Sequence, residues 1–318
     1  MSCVGVVGDG VVGERIVRRL PLAIPGVDIV TVEPRRWTPA EFSRCDVVVL
    51  AMAAPHAPVT AGLLAAGIPT VTVADRLDDV RALTDLDDVA RHAGVPLVVG
   101  AGMSPGLTGL LARHLAGQMA SVDEIHVAVH GTAGPSCARG QHRALAGLAV
   151  GWHDAAWIRR PAGSGRELCF FPEPVGGYDT YRAELASPIL LHASFPEAGR
   201  ISARVSANRR DRFTSWLPML SPPHREGGVG AVRVEVRGSE ADGSRTTRML
   251  GIAELVGTAT AATAVAFAAA TIAGLLPPGV VRSGDGDLDT LGLLRTVGEL
   301  GVRLQEFTGV PSVRRVAA

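Results

Sequence analysis

The chain opens on an apolar run, Val4-Gly5-Val6-Val7, that breaks into Gly8-Asp9-Gly10-Val11-Val12-Gly13. Glycines in this spacing, behind a strand-like run and ahead of a helical stretch, commit the start of the chain to a strand-turn-helix unit. In such a unit a pyrophosphate meets unpaired N–H groups at the helix N-terminus, where the helix dipole favours an anion. Gly8 is expected to make the tight turn, Gly10 to let phosphates reach the backbone, and Gly13 to let the helix pack on the strand. Val11 and Val12 open the helix, residues 11–20, which Pro21 is expected to end. Residues 27–32 read as the next strand. Glu33 stands at its tip, twenty residues beyond Gly13, where a carboxylate can hold the ribose diol of an adenosine.

Two features leave the form of the dinucleotide open. Asp9 lies inside the turn, where its carboxylate would repel a pyrophosphate, so it is expected to point away or towards the helix N-terminus. Glu33 suits NAD, whereas the adjacent Arg35 and Arg36 could grip the 2′-phosphate of NADP. The expected cofactor is NAD or NADP, with NAD preferred. The alternative is a βα turn without a ligand, since a chain with 38 glycines meets this spacing by chance.

With 318 residues the chain is long enough for two domains, and with 47% hydrophobic but only 4% aromatic residues its core must be mostly Ala, Val and Leu. A net charge of zero leaves no electrostatic footprint for nucleic acid, and no such partner is expected. Four scattered cysteines, without a CxxC pair, read as reduced thiols of a cytoplasmic protein. Asp9 and Glu14 interrupt any signal-peptide core. Residues 257–276 carry no charge and could span a bilayer by length. Their Ala/Thr content and isolation indicate a buried helix instead, with no membrane partner. All 31 basic residues are arginine, which excludes lysine Schiff bases, pyridoxal phosphate on lysine and the phosphate-binding lysine of a P-loop.

Strands and helices alternate through the first hundred residues. Residues 45–51 form an apolar run suited to a parallel strand buried on both faces. The loop Met52-Ala53-Ala54-Pro55-His56 follows at its carboxyl end, where α/β sheets bind ligands. Residues 59–66 read as helix and 68–74 as strand, closing on Asp75; 83–92 read as helix and 95–99 as strand. A second glycine loop, Gly100-Ala101-Gly102-Met103-Ser104-Pro105-Gly106, leads into a helix over 107–119. From Val122 the pattern changes. Residues 125–130 and 232–237 alternate at period two, the mark of antiparallel strands with one wet face. Between them a helical stretch is expected at 142–158. The Pro/Gly-rich loop 217–228, with His224 and Glu226, suits either a lid or an exposed connection. Gly243 turns a hairpin; the apolar helix, a Pro277-Pro278-Gly279 break, a polar linker, and a final helix and strand complete the chain.

Together these landmarks resemble the saccharopine dehydrogenase-like NAD(P)-dependent reductases. The resemblance rests on the opening glycine turn, the Ala53-Ala54-Pro55 loop, Val73-Ala74-Asp75, and the run from Val99 to Gly106. Towards the C-terminus it rests on Arg233-Val234-Glu235-Val236-Arg237-Gly238, Gly257-Thr258-Ala259-Thr260-Ala261-Ala262 and Pro278-Gly279-Val280-Val281. It covers both ends of the chain and little of the middle. It implies an α/β fold: a Rossmann-type parallel sheet with an inserted α+β substrate domain built on an antiparallel sheet. The expected boundaries are 1–121 for dinucleotide binding, 122–256 for substrate and dimerisation, and 257–318 for helices returning to the first domain. It further implies hydride transfer at a carbon–nitrogen bond. Ala53, Ala54, Pro55 and Asp75 would line the nicotinamide side with Gly102 and Met103, and Ser104 and Pro105 would face the substrate. The absence of lysine removes any catalytic or binding role that relatives give to one.

Reduction of an imine also needs a proton for the nitrogen, which histidine or tyrosine can supply. Tyr178 and Tyr181 are the only tyrosines, and His142 lies between Arg139 and Arg143; these three are the candidate proton donors. Arg139, Arg182, Arg209 and Arg212 are the candidate carboxylate anchors. His126 and His130 share one face of a strand, but without a third ligand no metal is expected. The expected function is an NAD(P)-dependent oxidoreductase acting on a small amino-acid-like amine or imine, as a homodimer. The alternatives are an alcohol or aldehyde dehydrogenase on the same fold, or a non-catalytic NAD(P)-binding sensor or partner subunit.

Overall fold

β-branched runs too short for helices, separated by glycine and polar turns, build a parallel sheet at the start of the chain. The computed structural model describes residues 2–34 and 37–306. Its first elements are β1 (Cys3–Val7), α1 (Val11–Ala23), β2 (Asp28–Val32), a 3-10 turn (Pro39–Phe42) and β3 (Val47–Leu50). There follow α2 (Ala57–Ala65), β4 (Thr70–Thr72), α3 (Leu77–Thr84), α4 (Asp87–Ala93), β5 (Pro96–Val98) and α5 (Leu107–Ala116). Two expectations are corrected. Pro21 does not end α1: it lacks only its own N–H, and Ile24 N still donates to Leu20 O at 2.8 Å, so the last turn persists. The single helix expected over 83–92 is two helices. Leu77, Val80 and Leu83 bury one face of α3, the chain breaks at Asp85 and Leu86, and Gly94 in the left-handed region (φ 70°) ends α4.

The second half runs β6 (Ser121–His130), α6 (Pro135–Ala144), β7 (Leu148–His153), β8 (Ala156–Pro161), β9 (Glu167–Phe171), β10 (Gly176–Arg182) and α7 (Ser187–Ser194). It continues with β11 (Arg200–Ser206), α8 (Arg209–Thr214), β12 (Val229–Ser239), β13 (Arg245–Leu255), α9 (Val256–Ile272), β14 (Gly279–Val281), α10 (Thr290–Glu299) and β15 (Gln305–Glu306). The helix expected over 142–158 is instead the end of α6 and a hairpin. Asp154 and Ala155 both take positive φ (48° and 59°), as a two-residue hairpin turn requires, and Trp152 and Trp157 meet edge to face across it at 5.3 Å. The second sheet is mixed, not antiparallel: β11 pairs with β6 in parallel, reached through the long excursion from α6 to α7.

The first sheet has six parallel strands in the order β14-β5-β4-β3-β1-β2. Between β1 and β3 the direction of winding reverses, the place where open α/β sheets leave a crevice for a ligand. β14, which the sequence reading placed within a linker, completes this sheet. The second sheet has nine strands, with β15-β13-β12-β6-β11-β10-β9 in line and β7 and β8 off β11. One hydrophobic core joins the two halves. The apolar helix α9 is buried almost throughout, packed on α1, β3 and β4 to one side and on β12 and β13 to the other. Among the described residues no helix is long and apolar enough to cross a membrane.

Candidate active site

The glycine turn lies at the switch point. Gly8 N donates to Val32 O at 3.2 Å, and Glu14 N makes the first helical bond to Gly10 O at 3.0 Å. A Cβ on Gly13 would overlap the carbonyl oxygen of Gly8, and one on Gly8 would press on the carbonyl of Ala51. These two glycines are therefore demanded by packing. Gly10 is different: a Cβ there would meet no described atom within 4 Å, and the residue is exposed. Asp9 and Glu33 are also exposed, the latter just beyond β2, while Val11 and Val12 are half-buried in the first turn of α1. Arg35 and Arg36 lie outside the described residues.

On the other side of the switch point, the carboxyl ends of β3, β4 and β5 present Ala53-Ala54-Pro55, Asp75 and the second glycine loop. That loop is tied to itself: Gly102 N donates to Pro105 O and Leu107 N to Gly102 O, each at 2.9 Å. Met103 N donates to Thr260 Oγ1 of α9 at 3.2 Å, and the Met103 side chain is buried in the core rather than facing outward. Ser104 is half-buried, its hydroxyl 3.1 Å from that of Ser187, and Pro105 is buried.

A group of titratable residues gathers around these ends. His56 is 2% exposed, and its Nδ1 lies 2.6 Å from Asp79 Oδ2. Asp79 also accepts the N–H of His56 at 2.9 and 3.0 Å and of Ala57 at 3.1 Å, so a carboxylate on α3 caps the N-terminus of α2. Burial alone would raise the Asp79 carboxyl, but the His56 ring and these backbone donors outweigh it and hold the carboxyl below its ordinary range. Asp75 is exposed just beyond β4, with protein atoms crowded around its carboxyl. Desolvation pushes its carboxyl up, with His56 and Arg76 opposing and Asp79 adding to the rise. Cys137 of α6 approaches from the second half; burial, and then the charge of Asp75, push its thiol up to about 12, so it stays protonated at neutral pH.

The other expected site residues fall into different settings. Tyr178 on β10 is 45% exposed and its ring lies 4.1 Å from that of His130, whose Nδ1 is 2.8 Å from Ser206 Oγ. Tyr181 is 1% exposed, packed with Leu145, Ala183 and Val205 under the guanidinium of Arg212. His142 is buried and donates from Nε2 to the carbonyls of Thr214 (3.1 Å) and Leu217 (3.0 Å). Tyr181 thus packs under Arg212 of α8, and His142 is tied to the end of α8 and the turn beyond it. Arg139 and Arg209 are exposed, and Arg182 is half-buried with NH1 3.5 Å from Ser164 Oγ. His126 and His130 do share a face; Ser202 and Glu124 lie against the two ring nitrogens of His126, and Ser206 against Nδ1 of His130.

The Pro/Gly-rich loop lies against the start of α1. Glu226 pairs with Arg15 at 3.5 Å, and a Cβ on Gly134 would lie 3.2 Å from the carbonyl oxygen of Arg225 and 3.4 Å from Val11 Cγ2. The loop and the cap of α6 therefore converge beside the glycine turn. His56 and Asp79 were missed as site residues in the sequence. The only available signal was position, a histidine and an aspartate just past the carboxyl ends of neighbouring strands.

No family model matches the chain, and no curated protein matches it in sequence. Solved structures do match in fold. Saccharopine dehydrogenase (L-Glu forming) from Saccharomyces cerevisiae superposes with a TM-score of 0.66 at 12% identity, over 97% of this chain and 100% of that one. Homospermidine synthase from Legionella pneumophila, solved with NAD, superposes with a TM-score of 0.68 at 13% identity, over 100% of this chain and 94% of that one. The C. glutamicum DAP dehydrogenase, solved with DAP, gives 0.53 at 15% identity, over 92% and 95%. The chain therefore has the fold of the saccharopine dehydrogenase and homospermidine synthase structures, a Rossmann-type sheet joined to a second, mixed sheet.

Proposed function

We propose that the protein is an NAD(P)-dependent oxidoreductase that interconverts an amine and the matching imine of a small amino-acid-like substrate. The observation that carries this reading is Gly10. Its two neighbours in the motif are explained by packing, whereas Gly10 borders open space at the switch point, where only a ligand needs the missing side chain. The turn and the first N–H groups of α1 would hold a pyrophosphate, and the Glu33 carboxylate would hold the adenosine ribose, favouring NAD over NADP. Ala53 to Pro55, Asp75 and the backbone of Gly102 and Met103 would border the nicotinamide. When bound, the cofactor supplies or accepts the hydride.

The chain's own part in the chemistry is the proton. In oxidation, Asp75 as carboxylate takes one proton from the substrate ammonium; in reduction, the Asp75 carboxylic acid returns it to the nitrogen. Its raised carboxyl suits both directions. The exposed Tyr178 hydroxyl is the second candidate for this proton. Ser104, Pro105, Arg139, Arg182 and Arg209 stay proposals for the substrate side. The similar structures support the amine reading, being named as saccharopine, DAP and amine dehydrogenases.

Titration with NADH and with NADPH, followed by tryptophan fluorescence, tests the cofactor. Turnover with matched panels of amine/keto-acid and alcohol/aldehyde pairs tests the chemistry. Binding of neither nucleotide at millimolar levels overturns the reading; turnover of alcohols alone redirects it to the other dehydrogenase class.

A further inference from the structure

Two of the four cysteines, far apart in the sequence, meet in the fold. Cys3 Sγ on β1 and Cys45 Sγ in the turn ahead of β3 lie 3.1 Å apart. A covalent S–S bond measures about 2.05 Å, so roughly 1 Å of approach would join them. Both backbones are held in place. The Asp46 carboxylate accepts the Cys3 N–H, Asp46 N donates to Cys3 O, and Cys45 N donates to Phe42 O, each at 2.8 Å. Phe42 in turn packs so closely on β1 that a Cβ on Gly5 would overlap its ring. The two thiols are 5% and 8% exposed, among Val7, Phe42, Val48 and Leu50. Arg44 and Asp46, on either side of Cys45, are exposed, so the pair lies just below the surface. Packing alone would be served as well by alanine or valine; it does not require sulfur to face sulfur.

We propose that Cys3 and Cys45 are a site of oxidative cross-linking, closing into a disulfide with hydrogen peroxide as the oxidant. One sulfur, as thiolate, attacks the O–O bond and becomes a sulfenic acid, with release of water. The other sulfur displaces the hydroxyl from that acid, forming the S–S bond and a second water. Two thiols and one peroxide thus give one disulfide and two waters; each sulfur gives up one electron and the peroxide gains two. Burial, and then the Cys3 thiol beside it, push the Cys45 thiol up to about 12, so the reaction is slow at neutral pH. Cys137 on α6 and Cys169, whose sulfur lies 3.6 Å from an Arg233 nitrogen, stand apart from this pair. The link closes a loop over residues 3–45, which holds the glycine turn, α1, β2 and Glu33. It sits at the amino ends of β1 and β3, across the sheet from the crevice. It therefore stabilises the first strand-helix-strand unit by restricting the unfolded chain, and it leaves the crevice open. The cross-link does not depend on which reaction the crevice performs.

Peptide mapping of the full chain tests the proposal. Without lysine, trypsin cuts only after arginine, which places Cys3 in the peptide 1–15 and Cys45 in the peptide 45–76. The protein is treated with excess hydrogen peroxide in dilute solution, its remaining thiols are alkylated, and it is digested without reductant. Mass spectrometry is expected to show these two peptides joined, and dithiothreitol to separate them. Thiols titrated in the unfolded protein should fall from four to two. Four thiols remaining, or a link through Cys137 or Cys169, overturns the proposal. The melting temperature is expected to rise by about 5 °C on oxidation and to return on reduction. Cys45→Ala, treated in the same way, reports what peroxide does to the methionines and should show no rise. An equal rise in that variant, or a linked pair without any rise in the wild type, overturns the stabilising role. Should Cys45→Ala fail to fold, Cys3→Ala serves in its place, and the peptide map needs neither variant.

Discussion

Helix α1 leaves strand β1 through a contact between Gly13 and Gly8 so close that a Cβ on Gly13 would overlap the Gly8 carbonyl oxygen. The contact draws the helix N-terminus against the carboxyl end of the strand and aims its free N–H groups at the space beside Gly10.

Gly13→Ala and Gly10→Val should therefore separate folding from binding. Gly13→Ala has nowhere to place its methyl group and is expected to cost about 1–3 kcal/mol of stability, the usual penalty for overpacking. A Cβ at Gly10 would meet no described atom within 4 Å, so the melting temperature of Gly10→Val should stay near the wild-type value. Its affinity for nucleotide should fall at least 100-fold, about 3 kcal/mol. Thermal melts and NADH titrations of both variants check the pair. Unchanged affinity in Gly10→Val would remove the turn from the binding site.

Asp75→Asn should lose activity while gaining stability. Removing the group that exchanges the proton is expected to lower turnover by roughly 100- to 10,000-fold. The Asp75 carboxyl is raised in the folded protein, so its favourable contribution is present below the ordinary aspartate range and is lost as pH rises through the folded value. At neutral pH the ionised group therefore costs stability, and Asn removes that cost. Melting curves should show the variant above the wild type at pH 7 and level with it near pH 3. A variant no more stable at pH 7 would contradict the desolvation of the Asp75 carboxyl.

The opposite sign holds at Asp79 and Glu235. Glu235, 5% exposed on β12, is raised by burial, but Arg233 and Arg237 outweigh this and hold it low, as His56 and the backbone donors hold Asp79. Both carboxyls contribute stability at neutral pH that is lost as pH falls through their depressed folded values, below the ordinary carboxylate range. Asp79→Ala leaves two N–H groups and a ring nitrogen without their acceptor and should cost about 3 kcal/mol. Glu235→Ala should cost about 2 kcal/mol, less than a fully buried pair, because Arg237 is half exposed and can turn to water. Denaturation between pH 2 and 7 should show a shallower acid loss in each variant than in the wild type.

Tyr178→Phe discriminates between the two proton candidates. The phenyl ring can keep its place against His130, so the fold and the stack should survive and only the hydroxyl is lost. With Asp75 as the exchanging group, turnover should change less than about threefold, well short of the loss expected for removing a general acid. A loss of 100-fold or more would move the proton role to Tyr178.

Local pattern carried far in the first half of the chain and less far in the second. The apolar run at Val47–Leu50 and the glycines of the first turn identify a buried parallel strand and its helix because each depends on neighbours in sequence. The stretch 142–158 misleads because alanine and glycine around Leu145 fit either state, and the hairpin is settled by Asp154, Ala155 and the Trp152–Trp157 contact across it. The parallel pairing of β11 with β6 leaves no local mark, since alternation at period two is the same in both directions. Tyr181 and His142 looked like chemistry as rare polar residues. The packing of Tyr181 and the two carbonyl acceptors of His142 are settings that no spacing along the chain shows.

The sequence by itself determined the glycine turn, the strand-helix alternation that follows it and the exclusion of lysine chemistry, since backbone space and residue type are local properties. Only the tertiary structure decided that Gly8 and Gly13 are held by packing while Gly10 borders open space. It alone brought His56, Asp79, Asp75 and Cys137 together, from beyond two strand ends and from a helix of the second half. Burial and charge proximity are properties of the assembled core, and no spacing along the chain encodes them.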